Sequence, residues 1–190
     1  MKKTNKAEKI IDCALMLLKT EGDHGVTMRQ VAQRSDMSLS NVQYYFKNKD
    51  ELLKAMADRY FGLCIQDIQG QVGLTEQGDI EAELSAMLLE YLRHGLEISE
   101  MCRVFREYWA IATRNEAIDQ YLTDYYKRLI EALSHKLEPA SDSPEALTHA
   151  VSLIIPYVEG YTITSRALPV DIEQANRMLV TLVMSVLRRG

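Results

Sequence analysis

Residues 35–53, SDMSLSNVQYYFKNKDELL, decide how the chain is read. Between two amphipathic segments they leave room for a helix of only two turns, carrying Ser, Asn, Gln and two adjacent tyrosines. A helix so short nucleates poorly and buries little, so its neighbours must hold it. It is kept for what it displays. With Ser38 as N-cap and 100° per residue counted from Val42, Leu39, Val42, Tyr45 and Phe46 fall on one side. Ser40 and Tyr44 fall opposite, flanked by Asn41 and Gln43. The first set is a packing face, and the second is an outward ridge of hydrogen-bonding groups.

That ridge has a definite chemistry. Asn and Gln pair bidentately with the major-groove edge of adenine, and Ser and Tyr hydroxyls reach bases or phosphates. Base readout is therefore expected from Ser40, Asn41, Gln43 and Tyr44. Thr27, Arg29, Tyr45, Lys47 and Lys49 are expected on phosphates, helped by the free amides of helices starting at Thr27 and Asn48. Helix 27–34, a turn over Ser35 to Met37, and helix 38–45 have the spacing of a helix-turn-helix. A short polar helix capping an ordinary bundle would share part of this pattern.

The bulk composition fits a folded chain with one uneven feature. Hydrophobic residues make up 47% of the 190, enough to bury a core in one or two domains. The net charge of −5 is divided unevenly: residues 1–60 hold 11 Lys+Arg against 8 Asp+Glu, and the remainder 11 against 19. Only the N-terminal third is basic, a hint of a nucleic-acid contact on that part of the chain, although a modest excess of positive charge is also what a solvated face carries. No apolar run approaches the roughly 18 residues of a spanning helix, and the opening MKKTNKAEKIIDCALMLL mixes acids into its apolar stripe. No signal peptide and no membrane association are expected, and the location is read as cytoplasmic. Cys13, Cys64 and Cys102 are far apart and lack CxxC spacing, which suits buried free thiols better than disulfides or zinc.

Apolar residues recur at three and four throughout: Ile10, Ala14, Leu17 and Leu18; Leu84, Leu88, Tyr91 and Leu92; Ile118, Leu122, Tyr126, Leu129 and Leu133. The fold class is all-α. The spacing predicts about nine helices near 5–21, 27–34, 38–45, 49–70, 79–97, 99–112, 115–137, 144–166 and 171–188. Capping-box pairs mark several starts: Asn5 with Glu8, Thr27 with Gln30, Asn48 with Glu51, and Asp171 with Gln174. Asp142-Ser143-Pro144-Glu145 opens another, with Pro allowed in its first turn. The glycine-bearing stretch 70–79 is the clearest break, and Pro156 is expected to kink or interrupt the eighth helix.

With these elements in place, Thr27, Val31-Ala32, Met37-Ser38 and above all YYFKNKDELL at 44–53 resemble the TetR/AcrR family of bacterial transcription regulators. The specific matches cover about residues 7–60. Beyond them, helix count, helix lengths and the VEG at 158–160 agree. Asp36 stands where a turn glycine is common in the family, Leu39 where a basic or small residue is frequent, and Gln43 where Tyr is frequent. The last two alter which operator is read. The resemblance implies a DNA-binding domain over 1–48, joined through helix 49–70 to a ligand-binding and dimerisation domain over 49–190. It further implies a homodimer on a palindromic double-stranded operator, paired through helices eight and nine, with an unknown small-molecule effector that moves helix four and releases DNA. In such a dimer two recognition helices sit about 34 Å apart. Helix nine carries Met178, Leu179, Leu182, Val183 and Val186 as candidate dimer contacts, although burial in its own domain would read the same.

A cavity is expected around EMCRVFREYWAIAT, residues 100–113, where Met101, Phe105, Arg106 and Trp109 mix aromatic and cationic groups, with Tyr91 and Tyr157 joining them. Plain core packing is the alternative. No catalytic or metal-ligating constellation is found: His24, His94, His135 and His149 stand alone, and Glu81 and Glu83 read as a helix start. No cofactor and no enzyme activity are expected. The reading is a sequence-specific regulator, most simply a repressor. The alternative is a DNA-binding adaptor whose acidic C-terminal domain takes a protein partner instead of a small ligand.

Overall fold

The computed structural model describes residues 2–70, 73–75, 78–97 and 99–188, the side chains of residues 2–5, 67, 94–97 and 99–103 excepted. Nine α-helices run through them, with no strand among the described residues: α1 Lys2–Glu21, α2 Met28–Ser35, α3 Leu39–Tyr45, α4 Lys49–Gly70, α5 Ile80–Glu97, α6 Ser99–Ala112, α7 Glu116–Leu137, α8 Pro144–Thr164 and α9 Ile172–Leu187. Two short 3-10 turns, Asp23–Gly25 and Glu138–Ala140, were not foreseen. No helix among the described residues is long and apolar enough to cross a membrane.

The helix starts follow local chemistry. Thr27 Oγ1 accepts the Gln30 amide at 3.2 Å and donates to Gln30 Oε1 at 2.7 Å. Ser38 Oγ accepts the Asn41 amide, Ser143 Oγ the Ala146 amide and Asp171 Oδ1 the Gln174 amide. Ahead of α4, Asn48 Oδ1 accepts the Glu51 amide while the Glu51 carboxylate accepts the Lys47 amide, each at 2.9 Å. Each bond satisfies an amide that a helix start leaves open.

One expectation is corrected, and of the kink or interruption expected at Pro156 the interruption is ruled out. Asn5 does not begin α1, which already runs from Lys2. Lysines are good helix formers and carry the helix past that cap. Nor is α8 interrupted at Pro156. The proline is exposed, so the Ser152 carbonyl that loses its helical donor lies on a side water can reach.

The chain forms two compact units, Met1–Gln66 with Arg103–Tyr126, and Asp67–Cys102 with Lys127–Gly190. The division falls within α4, α6 and α7. In the first unit, Ile10, Leu17, Leu18, Val31, Val42, Leu52, Met56 and Phe61 are buried. Phe61 is ringed by Phe105, Tyr125 and Tyr108 at centroid distances of 4.7, 4.8 and 5.2 Å. In the second, α9 packs against α5 and α8, with Leu92, Tyr161 and Ala175 in one buried cluster. Buried Asn176 donates to the Ser85 carbonyl and hydroxyl at 3.0 Å each.

The turn between α2 and α3 is closed by Asp36 in the left-handed region, at φ 56° and ψ 48°. Its amide donates toward Ala32 and Gln33 carbonyls, the usual way of ending a helix. Aspartate tolerates this conformation better than most residues, and glycine adopts it without the Cβ penalty. Asp36→Gly should therefore hold or raise stability by up to about 1 kcal/mol, and Asp36→Val should lower it by about 1–2 kcal/mol. Urea midpoints of the two variants measure both effects.

Candidate nucleic-acid interface

Two buried side chains fix the orientation of α3. Val42 is fully buried and Phe46 is 8% exposed, while Leu39 and Tyr45 are half-buried. Burying a Val or Phe side chain stabilises by about 1.5–3 kcal/mol, enough to hold two turns that could not persist alone. The opposite face is then open. Ser40 and Gln43 are exposed, Tyr44 is 66% exposed and Asn41 is partly so. The Tyr44 ring meets Tyr45 edge-on at 5.3 Å. Ser40 Oγ lies 3.0 Å from Ser38 Oγ, so this hydroxyl is shared with the cap.

The residues expected on phosphates occupy different surroundings. Thr27 and Arg29 are exposed at the start of α2, and Lys47 is exposed between α3 and α4. Lys49 is engaged within the unit: its Nζ pairs with Asp23 Oδ1 at 2.6 Å and donates to the Asp23 carbonyl at 2.7 Å.

Asp23 is the hub of a polar network that the sequence pattern did not disclose. Its other carboxylate oxygen accepts from Arg114 at 2.8 Å, and its amide donates to Glu107 at 2.9 Å. Gly22, at φ 73°, lets the chain turn beneath the Glu107 carboxylate. Further bonds tie the α6–α7 corner to α4: Tyr108 donates to the Leu53 carbonyl at 2.7 Å, Tyr121 to Asp58 at 3.0 Å and Asn115 to Asp50 at 2.7 Å. These pairs are 55 to 91 residues apart in sequence, beyond the reach of any periodicity.

Burial alone would raise the Asp23 carboxyl, but hydrogen bonds and charge from Lys49 and Arg114 outweigh it and leave the pKa below its ordinary 3.8. A carboxylate depressed in the folded state stabilises fully above the unfolded pKa, and that contribution is lost as pH falls through the folded value. Asp23→Asn should thus cost about 1–2 kcal/mol at neutral pH. The gap from wild type should close in the acid range below pH 4, as read from urea unfolding across pH.

A groove of about 560 Å³ runs along this hub, between the end of α1 and the α6 face bearing Arg106, Glu107 and Ala110, with Arg114 from the turn after α6. Of the residues expected to line a ligand pocket, Arg106 thus borders a groove in the first unit. Phe105 there belongs to the aromatic core, and Trp109, 45% exposed, lies 5.7 Å from Tyr126. Tyr91 and Tyr157 belong to the second unit. The Tyr91 hydroxyl is buried without a partner among the described residues and burial raises its pKa, whereas Tyr157 donates to the Ala175 carbonyl at 3.0 Å. The Met101 side chain lies outside the described residues.

The apolar stripe of α9 divides in two. Leu179 and Val183 are fully buried in their own unit, while Met178 and Leu182 are 52% and 42% exposed and Val186 is intermediate. Leu179 and Val183 are therefore taken up by the core of their own unit. Ile163 on α8, 57% exposed, adds to the apolar surface of the unit. No cluster of three or more His, Cys, Asp or Glu suited to a metal ion occurs among the described residues.

Comparison with known proteins agrees with this architecture. Residues 10–56 match the model described as "Bacterial regulatory proteins, tetR family", a span from α1 into α4. The HTH-type transcriptional regulator encoded in the dhlA 5' region of Xanthobacter autotrophicus, itself uncharacterized, is 55% identical over 99% of this chain and 93% of its own length. Among solved structures, a transcriptional regulator of Rhodococcus sp. Rha1 superposes with a TM-score of 0.75 at 18% identity, covering 94% of this chain and 96% of that one. SmeT in complex with triclosan superposes with a TM-score of 0.72 at 14% identity, covering 98% and 93%. At such low identity these two structures speak for the fold, and the near-complete match to the Xanthobacter regulator speaks for the family. The chain belongs to the TetR family of DNA-binding, helix-turn-helix transcriptional regulators.

Proposed function

We propose that the protein is a homodimeric repressor that holds a palindromic operator and leaves it when a small molecule occupies the domain formed by residues 49–190. The observation that carries this reading is the exposed ridge on α3, whose polar groups face out because Val42 and Phe46 are anchored beneath them. Ser40, Asn41, Gln43 and Tyr44 read bases, with Ser40 sharing its hydroxyl with Ser38. Thr27, Arg29, Tyr45 and Lys47 hold phosphates, and Lys49 acts at the same corner through Asp23.

Dimerisation uses the outward part of the α9 stripe, Met178, Leu182 and Val186. Exposed apolar groups at i and i+4 suit a partner helix. Support for a ligand comes from the buried, unpartnered hydroxyl of Tyr91, a group that gains a hydrogen bond when a polar ligand arrives. Tyr157, in the same unit as Tyr91, is the next candidate for effector contact, and Phe105, Arg106 and Trp109 are candidates within the first unit. Release of DNA requires that the effector bind the two conformations with different affinity.

Selection from a randomised duplex pool at two salt concentrations, followed by sequencing, tests the reading. A palindrome with half-sites one helical turn apart and steep salt dependence is the expected outcome. Retention of random duplex without enrichment would defeat sequence-specific readout by α3. The enriched duplex then serves as the probe in an effector screen.

A further inference from the structure

Lys6 and Lys9 are exposed on the N-terminal turns of α1, and neither forms a hydrogen bond or ion pair among the described residues. Nearby acids do not neutralise them. Asp12 pairs with Arg59 at 3.2 Å, and Glu8 projects to the far side of the helix, about 140° from Cys13.

Cys13 shows where this face of α1 looks. Its sulfur meets the Arg34 carbonyl, in the last turn of α2, at 3.6 Å. At 100° per residue, Lys6 and Lys9 project within about 20° and 40° of the Cys13 direction. The end of α1 leads through the 3-10 turn Asp23–Gly25 to the start of α2, so the two helices run back against each other. Residues preceding Cys13 therefore reach past the end of α2, toward the turn that carries Asp36 and Ser38. At 1.5 Å per residue, Lys9 and Lys6 stand about 6 and 10 Å beyond Cys13 along the helix. In a helix-turn-helix the N-terminal residues of the second helix enter the major groove. The two lysines thus flank the groove-entering end of α3.

We propose that Lys6 and Lys9 form a second phosphate-binding surface, outside the helix-turn-helix, that clamps the duplex backbone beside each half-site. This rests on the DNA-binding reading above. The partner is recognised by its charge alone: two unpaired ammonium groups on one helical stripe fit a polyanionic backbone and carry no base information. The extension of α1 beyond Asn5 keeps this stripe on a regular helix instead of a frayed end.

The test is the salt dependence of duplex binding by wild type and the K6A/K9A double variant, on the selected operator and on random duplex. Each phosphate contact adds about 0.9 to the slope of log affinity against log salt, doubled in a two-fold complex. The double variant should flatten the slope by about 2–4 and lose affinity equally on both duplexes. Both side chains are exposed, so an unchanged urea midpoint serves as the control for folding, and K6R/K9R should restore the slope. An unchanged slope, with wild type binding normally, would overturn the lysine surface while leaving the regulator reading intact. Failure of wild type to bind any duplex would overturn both.

Discussion

Phe61→Ala should destabilise the first unit by about 3–5 kcal/mol, the range for removing a fully buried aromatic ring from a packed core. Phe61 is completely buried, and rings from α6 and α7 close on it from within 5.2 Å. Deleting it leaves a cavity whose walls are large and mutually wedged, so collapse is limited. Domains of this size hold only about 5–15 kcal/mol in all, so the variant should lose about a fifth of its stability or more. Tyr108→Phe isolates the polar part of the same cluster. It keeps the ring and removes only the hydroxyl donated to the Leu53 carbonyl, for a cost of about 1–2 kcal/mol. Urea unfolding of the two variants distinguishes these effects. A loss below about 1 kcal/mol for Phe61→Ala would show that the aromatic cluster does not hold the unit together.

Gln43→Ala should change which DNA is bound, whereas Lys47→Ala should change how tightly any DNA is bound. A bidentate amide-to-adenine contact contributes about 1–3 kcal/mol of discrimination, roughly fivefold to 150-fold at one position of each half-site. Gln43 is exposed on the ridge and able to make that contact. Its loss should flatten the base preference there and leave the salt slope intact. Lys47 is exposed beside the ridge, and its loss should weaken all sequences alike and reduce the salt slope by about 0.9 per contact. Lys47 makes a cleaner comparison than Lys49, because removing Lys49 also strips Asp23 of an ion pair. Selection and sequencing with each variant decides the matter. Uniform loss across sequences for both would remove Gln43 from base readout.

What was legible in the sequence is what short-range geometry controls. Thr27, Ser38, Asn48, Ser143 and Asp171 each bond an amide three residues on, so residue type and spacing were enough to find the helix starts. The ridge of α3 was legible for a similar reason. Two apolar residues four apart must face the same way, and Val42 and Phe46 turn Gln43 and Tyr44 outward. Asn5 failed as a start although its local pattern was as good, because the lysines before it continue a helix at little cost.

Tertiary structure decided everything that depends on which surfaces meet. In α9 a single apolar stripe carries both Leu179, fully buried, and its neighbour Met178, half exposed, a division invisible to periodicity because hydrophobicity states only that a side chain avoids water. Lys49 read as a phosphate ligand by its place after α3, yet the fold sets its ammonium against Asp23, and Asp23 in turn against Arg114, 91 residues along the chain. The sequence by itself determined the helices, the ridge that one of them displays, and the basic character of the N-terminal third. Which cations remain open to DNA, and which apolar residues remain open to a partner, was settled by packing: a charge or methyl group becomes available only after the fold has satisfied its neighbours.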